Sequence, residues 1–439
     1  MKKTLMNRRR ALGTITGGTA GLAATMSGVA GLSVDATPRP LQAVQTEMSS
    51  KGLPPVKITD VKLILTEVGR GNGAHMTNVK VLTSEPGLYG VGCGTHNERA
   101  HIVAETIDKF MKPMVVGRNV AEIEHIWQTA WVAPYWRASV DSSAAISAID
   151  MALWDIMGKR AGMPVYALLG GKIRNYVTMF CGASGRSLQA LEDSVRRRME
   201  EGFRHFRLRG MSTRNENTNA AFINGFVKQF EHLRNTIGGD IEIAAEIHEQ
   251  LDPAGSIAMA KAVEPYRPFF LEDLFAPEDV GWYKIIREQT AVPIAMGEIF
   301  VNQNEWLPLV ANRWIDFIRT HISMVGGLSY ARKMAACCEW FNVRTAWHGP
   351  GNVSPVGHAV NLHLDLAIYN FGIGEGGPFS DQLKELFPGA PEQEGPKRYA
   401  NNLPGLGIDI NEKIAAKYPW KTLGANRGRQ KPDGTPARP

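Results

Sequence analysis

Three short apolar runs of this chain each end in a glutamate: Ile241-Glu-Ile-Ala-Ala-Glu246, Pro268-Phe-Phe-Leu-Glu272 and Pro293-Ile-Ala-Met-Gly-Glu298. Both intervals between successive glutamates are 26 residues long. That length fits one strand and one returning helix, the repeat of a (β/α)₈ barrel, whose parallel strands all end at the same face. Three carboxylates converging there predict a site for Mg²⁺, or for Mn²⁺, because these hard cations prefer oxygen ligands. Three unrelated helix caps or exposed strand ends explain the regular spacing less well.

The stretch around these runs alternates short apolar segments with amphipathic helical ones. Strands of a parallel barrel are covered on both sides, so continuous apolar runs are expected in them. We therefore predict an α/β fold with a TIM-type barrel over residues 172–375. Its eight strands are expected near 176–181, 203–209, 241–247, 268–273, 293–298, 315–320, 342–347 and 368–374.

The residues before the barrel have a different pattern. Alternating segments predict antiparallel strands at Val56–Glu67, His75–Thr83 and Leu88–Gly92. Three helices are expected to follow, near 98–114, 119–132 and 142–160. We therefore predict an N-terminal α+β capping domain over 56–171, after a linker at 37–55. The Pro- and Gly-rich segment 376–439 is expected to pack back over this cap.

The first residues have the features of an export signal. Arg8-Arg9-Arg10 follows Lys2 and Lys3, and a weakly apolar stretch continues to Leu32. Val34-Asp35-Ala36 resembles a cleavage site. Paired arginines and low hydrophobicity favour the twin-arginine route, so residues 1–36 are predicted to be a twin-arginine signal peptide and the mature chain to be periplasmic. A disordered basic tail is the alternative.

The formal net charge of +6 belongs mainly to that leader. Residues 1–36 hold five Lys/Arg and one Asp, which leaves about +2 for the mature chain. No basic stripe is interleaved with aromatic residues, so a nucleic-acid partner is not expected. Stable membrane insertion after cleavage is not expected either, and the chain is predicted to form a homo-oligomer. The four cysteines lack metal-ligand spacing and are expected to be buried thiols.

Several ordered motifs together resemble the enolase superfamily, specifically its mannonate dehydratase/starvation-sensing subgroup, which is mandelate racemase/muconate lactonizing enzyme-like. The resemblance covers nearly all of the mature chain. It implies a capped, modified barrel that uses Mg²⁺ to abstract the proton α to a carboxylate through an enediolate. The matching stretches include Thr95-His-Asn97, Ser147-Ala-Ile-Asp-Met-Ala-Leu-Trp-Asp155, Glu246-Ile-His248, Leu271-Glu-Asp273, Met296-Gly-Glu298, Ile315-Asp-Phe-Ile-Arg-Thr-His321, Thr345-Ala-Trp-His348-Gly-Pro-Gly and Phe371-Gly-Ile-Gly-Glu375.

The resemblance also implies roles for individual residues. The metal ligands are the glutamates at 246, 272 and 298, although the family usually has Asp at the first position. His248 corresponds to a histidine that delivers a proton to the leaving hydroxyl, and His348 is expected to act as a base or to contact a hydroxyl. Arg207 matches an arginine that works with a loop tyrosine in the subgroup, and arginine is a poor base by itself.

Two departures disfavour mannonate itself as the substrate. The chain has no tyrosine between Tyr176 and Tyr266, and Asn352 stands where active members of the subgroup carry an acid. Arg207 could instead hold an anionic substrate. Asn97 and Trp420 match substrate-facing positions of the subgroup. Arg209, Arg319 and Glu375, at the ends of predicted strands, are further candidates for substrate binding.

The sequence therefore predicts a Mg²⁺-dependent hydro-lyase that dehydrates a sugar acid. Two alternatives stay open at this point. One is a metal-dependent acid-sugar binding or sensing protein without catalysis, and the other is an acid-sugar epimerase. The missing tyrosine favours the binder, whereas the retained histidines and Glu375 oppose it. Strand 6 ends in Arg319 and His321 rather than in the aspartate that mandelate-racemase-like members place there, which disfavours the usual two-base racemase.

Overall fold

Strand pairing in the computed structural model separates an antiparallel sheet near the start of the described chain from a parallel barrel after it. The structure describes residues 54–68, 75–96, 99–210, 219–351, 353–421, 428–431 and 433–438. The predicted signal peptide and nearly all of the linker lie outside this range. None of the helices within it is long and apolar enough to cross a membrane.

The first sheet is an antiparallel meander of β1 (Ile58–Glu67), β2 (His75–Thr83) and β3 (Tyr89–Cys93). The long helix of the cap lies against β3, where a Cβ on Gly92 would stand 1.8 Å from the carbonyl oxygen of Ala148. Only glycine therefore permits this approach. The helical elements are α1 (Ala100–Thr106), a π-helical stretch (Ile107–Met111), α2 (Lys112–Val115), α3 (Ile123–Val132), α4 (Val140–Ala161) and α5 (Val165–Leu168).

The second large sheet contains seven parallel strands in sequential order, as a barrel of repeated strand–helix units requires. These strands are shorter than predicted, but six of them lie within their predicted ranges. The exception is the first strand, which begins at the last residue of its predicted range. The seven are β5 (Cys181–Ala183), β6 (His205–Arg209), β7 (Glu242–Glu246), β8 (Phe270–Glu272), β9 (Ile294–Met296), β10 (Phe317–Ile318) and β11 (Arg344–Thr345).

The prediction of a first barrel strand at 176–181 is wrong. Residues Val177–Thr178 form β4, which pairs antiparallel with β13 (Lys397–Tyr399) in a separate small sheet that also contains β12 (Glu392–Glu394). The barrel begins with β5 instead. The backbone groups of β4 are satisfied by a segment more than 200 residues away, which no local pattern reveals.

The barrel closes without a regular eighth strand, so the strand predicted at 368–374 is also wrong as an assignment. Phe371 forms a single parallel bridge to Thr345, and Gly374 forms another to Met179. The Phe180 amide donates to the Gly374 carbonyl at 3.0 Å. A Cβ on Gly374 would come within 2.6 Å of the Met179 sulfur, so the closing segment needs glycine there.

Helices surround the barrel and connect it to the cap. Trp154 of α4 donates its indole N–H to Ser329 at 2.9 Å, and Trp127 of α3 donates to the Gly326 carbonyl at 2.7 Å. The helices after the barrel strands are α6 (Leu188–Glu200), α7 (Asn219–Thr236), α8 (Pro253–Val263), α9 (Trp282–Arg287), α10 (Gln303–Ala311), α11 (Gly327–Trp340) and α12 (Pro355–Ala367), with 3₁₀ turns at Glu264–Tyr266 and Pro277–Asp279.

The segment after residue 375 contacts both parts of the molecule. It contains α13 (Asp381–Leu386), α14 (Glu412–Ala415), β14 (Arg429–Gln430) and β15 (Pro436–Ala437) besides β12 and β13. Glu412 pairs with Lys80 of the cap at 2.9 Å, and the Leu406 amide donates to Asp155 of α4 at 2.8 Å. Beside the barrel, the guanidinium of buried Arg398 lies 3.2 Å from Nδ1 of His358 on α12. Part of this segment therefore lies on the cap and part lies beside the barrel.

All four cysteines are free thiols, as predicted. Their burial differs from the prediction, because Cys93 and Cys338 are buried whereas Cys181 and Cys337 are partly exposed. Burial raises the pKa of the Cys338 thiol, so it is kept in its unreactive protonated form.

Candidate active site

The three glutamates of the apolar runs lie at one end of the barrel. Glu246 is the last residue of β7, Glu272 is the last residue of β8, and Glu298 follows β9 by two residues. Glu246 and Glu272 are paired neighbours in the parallel sheet. Since parallel strands place their carboxyl ends at a common face, the three side chains share the face where barrel enzymes place their active sites.

Four charged side chains form a closed ring of ion pairs inside the barrel. Arg207 on β6 contacts Glu272 at 2.9 Å and Glu375 at 2.9 Å. Arg319, just after β10, contacts the same two carboxylates at 2.7 and 2.8 Å. The members come from the second, fourth, sixth and eighth positions around the barrel. Barrel interiors are built from such layers, with four side chains supplied by alternate strands.

An apolar layer of inward-facing side chains lies next to this charged ring, further from the mouth of the barrel. Phe270 and Phe317 precede Glu272 and Arg319 by two residues, so they face the same interior one step further from the mouth. The Phe180 ring lies 5.0 Å from the Arg207 guanidinium. The complete layer consists of Phe180, Ala244, Phe270, Ala295, Phe317, Ala346 and Ile373.

The ring keeps its arginines charged. Burial opposes the charge on Arg207, but the facing carboxylates of Glu272 and Glu375 raise its pKa above the ordinary value. The same two carboxylates raise the pKa of Arg319 in spite of its burial. Burial would raise the pKa of Glu375, yet the two arginines hold it well below the usual range. Neither arginine is therefore able to serve as a general base at neutral pH.

Two histidines converge on the third glutamate. The Nε2 atom of His248 lies 3.3 Å from one carboxylate oxygen of Glu298, and the Nε2 atom of His348 lies 3.2 Å from the other. Although burial opposes ionisation, His348 and His248 hold the pKa of Glu298 well below its usual range. His248 is about one-third exposed, whereas His348 is largely covered.

A third histidine lies behind this pair. The ring of His321 lies 5.1 Å from the ring of His348, centroid to centroid. Its Nδ1 accepts a hydrogen bond from the Ser323 amide at 3.2 Å, and burial lowers its pKa well below the usual value, so it is neutral. The sequence placed His321 at the end of strand 6 but gave it no role. Its closeness to His348 depends on the side-chain packing of two strands.

A fourth acid, Asp273, lies beside the predicted ligands. One oxygen each from Glu272, Asp273 and Glu298 lie within 4.8 Å of one another, close enough to hold a metal ion. Asp273 is almost completely buried and has a left-handed backbone, with φ at +49°. Burial raises the pKa of Asp273, and the negative charges of Glu298 and Glu272 raise it further. The sequence contained this residue in Leu271-Glu-Asp273, but nothing in the sequence distinguished it from an ordinary strand-end acid.

Two family models match the chain. The mandelate racemase/muconate lactonizing enzyme N-terminal domain matches residues 56–170, and the enolase C-terminal domain-like model matches residues 190–414. The chain belongs to the enolase superfamily. The predicted resemblance and the predicted fold class, a modified barrel with an N-terminal cap, are thereby confirmed.

Relatives within the superfamily match over almost their full length. A D-galactonate dehydratase family member of Musicola paradisiaca is 44% identical over 417 residues, which covers 88% of this chain and 99% of the relative. The family member RspA of Pantoea ananatis is 45% identical, covering 87% of this chain and 99% of its own. A crystal structure of an enolase from Pantoea ananatis with bound D-gluconate and Mg matches with a TM-score of 0.83 at 44% identity, covering 88% of this chain and 100% of that one.

The structure brings most of the predicted site residues of this superfamily member together. Both histidines, His248 and His348, contact Glu298. Both ring arginines contact Glu272, and Glu375 joins them as the fourth member of the charged ring. The exposed Arg209 reaches the first of these glutamates, with its Nε 2.7 Å from the Glu246 carboxylate.

The other predicted positions are less closely connected. The contacts described for Trp420 are with the cap, where its ring lies 4.6 Å from that of His101 and 5.8 Å from that of His75. Asn97 and Asn352 lie outside the described residues, as does most of the loop after β6. Their predicted roles stay predictions.

The donor set at this face fits a hard divalent cation. Every candidate ligand is a carboxylate, the ligand type that Mg²⁺ prefers in proteins. Both Asp273 oxygens are buried and have no hydrogen-bond partner within the described part of the chain. Glu246, in contrast, points one oxygen toward Arg209, so the three glutamates do not form an equally tight group. Their assignment as the ligand set stays a prediction.

Proposed function

We propose that this chain is a Mg²⁺-dependent dehydratase of a sugar acid, a lyase that converts an aldonic acid of the gluconate type into a 2-keto-3-deoxy acid. The observation that carries the proposal is the convergence of His248 and His348 on Glu298 beside a group of buried carboxylates. The dehydratase names of the relatives, and the D-gluconate and Mg bound by the Pantoea ananatis structure, support the same reaction class.

Mg²⁺ would be held by Glu246, Glu272 and Glu298. When bound, it would offset the negative charge that develops on the substrate carboxylate as the α proton leaves. The charged ring supports this metal site, because Arg207 and Arg319 both bind the Glu272 carboxylate and hold it in place. A ligand fixed in this way needs little rearrangement at the moment of reaction.

The two histidines supply the proton transfers. We assign His348 as the base that removes the α proton and His248 as the acid that protonates the departing hydroxyl. Each imidazole is oriented by a different oxygen of Glu298, so one carboxylate positions both rings. Positioned groups of this kind contribute about 10²–10⁴-fold each to a rate. The exposed Arg209 is placed to attract an anionic substrate to the mouth of the barrel.

Mannonate is not the substrate that these contacts favour. In the subgroup the arginine at the position of Arg207 works with a tyrosine, but here Arg207 is engaged by Glu272 and Glu375. The chain also lacks a tyrosine between positions 176 and 266. A base elsewhere is therefore required, and His348 is the residue we assign.

A screen of acid sugars tests the proposed reaction. Purified mature protein is incubated with Mg²⁺ and each of a set of aldonic acids, including D-gluconate, and the 2-keto-3-deoxy product is measured. Product formation that stops when EDTA removes the metal is expected. Binding of an acid sugar with neither product nor Cα hydrogen exchange would support the alternative, a non-catalytic acid-sugar binding protein. Cα exchange without product would support the epimerase.

We further propose that the chain is exported to the periplasm by the twin-arginine route, on the basis of Arg8, Arg9 and the weakly apolar stretch after them. Replacing both arginines by lysine should hold the precursor in the cytoplasm. Mature protein in the periplasm at the normal level would contradict this route. The expected homo-oligomer stays a prediction that light scattering of the purified protein would test.

A further inference from the structure

Asp273 follows the second predicted metal ligand directly, yet its surroundings differ from those of every other acid at the site. Glu272 faces Arg207 and Arg319, Glu246 faces Arg209, and Glu298 faces two histidines. Both oxygens of Asp273 are buried without a hydrogen-bond partner among the described residues. Burial of an uncompensated carboxylate is costly, so a fold retains one only where something else offsets the cost.

The backbone holds this residue firmly in place. The Asp273 amide donates to the Ala295 carbonyl at 3.1 Å, and its own carbonyl accepts from the Glu249 amide at 2.9 Å. Its backbone is thus tied to the ends of the strands on both sides. The left-handed φ of +49° is one that L-residues other than Asn and Asp rarely adopt. The strand ends therefore fix the position of a carboxylate for which the described residues offer no partner.

The charges of the site point to a cation as the missing partner. Two kinds of charged group meet here, the carboxylates of Glu246, Glu272, Asp273, Glu298 and Glu375 and the guanidinium groups of Arg207, Arg209 and Arg319. The carboxylates outnumber the guanidinium groups, and the partly buried Glu249, whose amide binds the Asp273 carbonyl, adds a further acid beside them. A divalent cation bound here would offset this excess of negative charge.

We propose that Asp273 is a fourth acidic member of the cation site, placed beside Glu272 and Glu298 so that its charge is compensated by the bound cation. This inference rests on the Mg²⁺ site of the proposed function and adds a residue to it. A purely structural role would need a donor for at least one oxygen, and no residue within the described ranges supplies one.

Asp273→Asn tests the inference, because Asn keeps the shape of the side chain and tolerates the left-handed backbone. Mg²⁺ affinity is measured by calorimetry on the metal-free mature protein without any sugar acid. We expect it to weaken about 10–100-fold, the usual cost of removing a supporting group of a metal site. The melting temperature of the metal-free variant should equal or exceed that of the wild type, because an uncompensated buried acid is removed.

Asp150→Asn provides the matched control. Asp150 is also buried and has one oxygen without a described partner, but it lies on α4 of the cap. Its replacement should leave the Mg²⁺ affinity unchanged. Wild-type Mg²⁺ affinity in Asp273→Asn would overturn the inference, and so would a loss of affinity accompanied by a lower melting temperature of the metal-free protein. A wild-type chain that binds Mg²⁺ but dehydrates no acid sugar would contradict the proposed function alone.

Discussion

When the barrel strands are counted from β5 as the first to the closing segment before Glu375 as the eighth, the even-numbered and odd-numbered positions carry different kinds of side chain. The even positions supply Arg207, Glu272, Arg319 and Glu375, which neutralise one another in a closed and almost fully buried ring. The odd positions supply the residues of the mouth, among them His248, Glu298 and His348, which lie closer to solvent. The two arginines of the first set stay charged, whereas the second set contains histidines, which are able to exchange protons.

This difference separates the support of the site from its chemistry. A ring of two guanidinium and two carboxylate groups leaves no orientation free, because each member is held by two others. Proton transfer needs groups that change charge near neutral pH, and histidine is the side chain whose ordinary pKa permits this. Glu272 takes part in both functions, since it belongs to the ring and also lies within the acidic group that contains Asp273.

The largest effect is expected from the covered histidine of the odd set. His348→Asn should lower both Cα hydrogen exchange and dehydration by about 10⁴, the upper range for a positioned acid or base, because both steps need the base. Exchange is followed by mass spectrometry in deuterated solvent, and product is measured in parallel. Exchange at the wild-type rate would remove His348 from the role of base.

The second histidine should separate the two steps. His248→Asn is expected to lower dehydration by about 10²–10⁴ while Cα exchange and Mg²⁺ binding persist, because this residue acts only on the departing hydroxyl. The same two assays, with calorimetry for the metal, measure the outcome. Unchanged turnover would show that His248 is not the acid. Loss of Cα exchange together with dehydration would show that His248 also takes part in removing the α proton.

A ring variant should change stability more than chemistry. Arg319→Met leaves Glu272 and Glu375 each with one guanidinium partner fewer in a dry interior, so the free energy of unfolding should fall by about 3–5 kcal/mol. The exposed pair Lys384–Glu392, at 2.8 Å, provides the control, and Lys384→Met should cost less than about 1 kcal/mol. Urea unfolding of both variants measures the difference. Equal losses would mean that the ring contributes no more to stability than an exposed ion pair.

The smallest expected effect concerns Glu272, which belongs both to the charged ring and to the acidic group that contains Asp273. Glu272→Gln should weaken Mg²⁺ binding at least 10–100-fold, the loss seen when even supporting groups of metal sites are removed. Glu242→Gln, at the opposite end of β7, should leave the affinity unchanged. Calorimetry with Mg²⁺ distinguishes them. Unchanged affinity in Glu272→Gln would exclude this residue from the ligand set and confine it to the ring.

The fold was predictable from local patterns, with two exceptions at the seam of the barrel. Apolar runs at 26-residue intervals predict the strands that carry Glu246, Glu272 and Glu298, because the strand–helix repeat is a property of neighbouring residues. The first and eighth strands were misplaced because the barrel closes there. Closure depends on Gly374 meeting Met179, and β4 stays out of the barrel because it pairs with β13. Both contacts join segments that are distant in sequence.

The sequence by itself determined the barrel, its superfamily and the residue types at the carboxyl ends of its strands. Side-chain alternation along a strand is local, so it already selects the residues that point inward. Only the tertiary structure decided which of those residues meet. It formed the ring from Arg207 to Glu375, brought His321 close to His348, and left Asp273 without a hydrogen-bond partner among the residues that the structure describes. These contacts depend on the stagger of the strands around the closed barrel, and the stagger is a property of all the strands together.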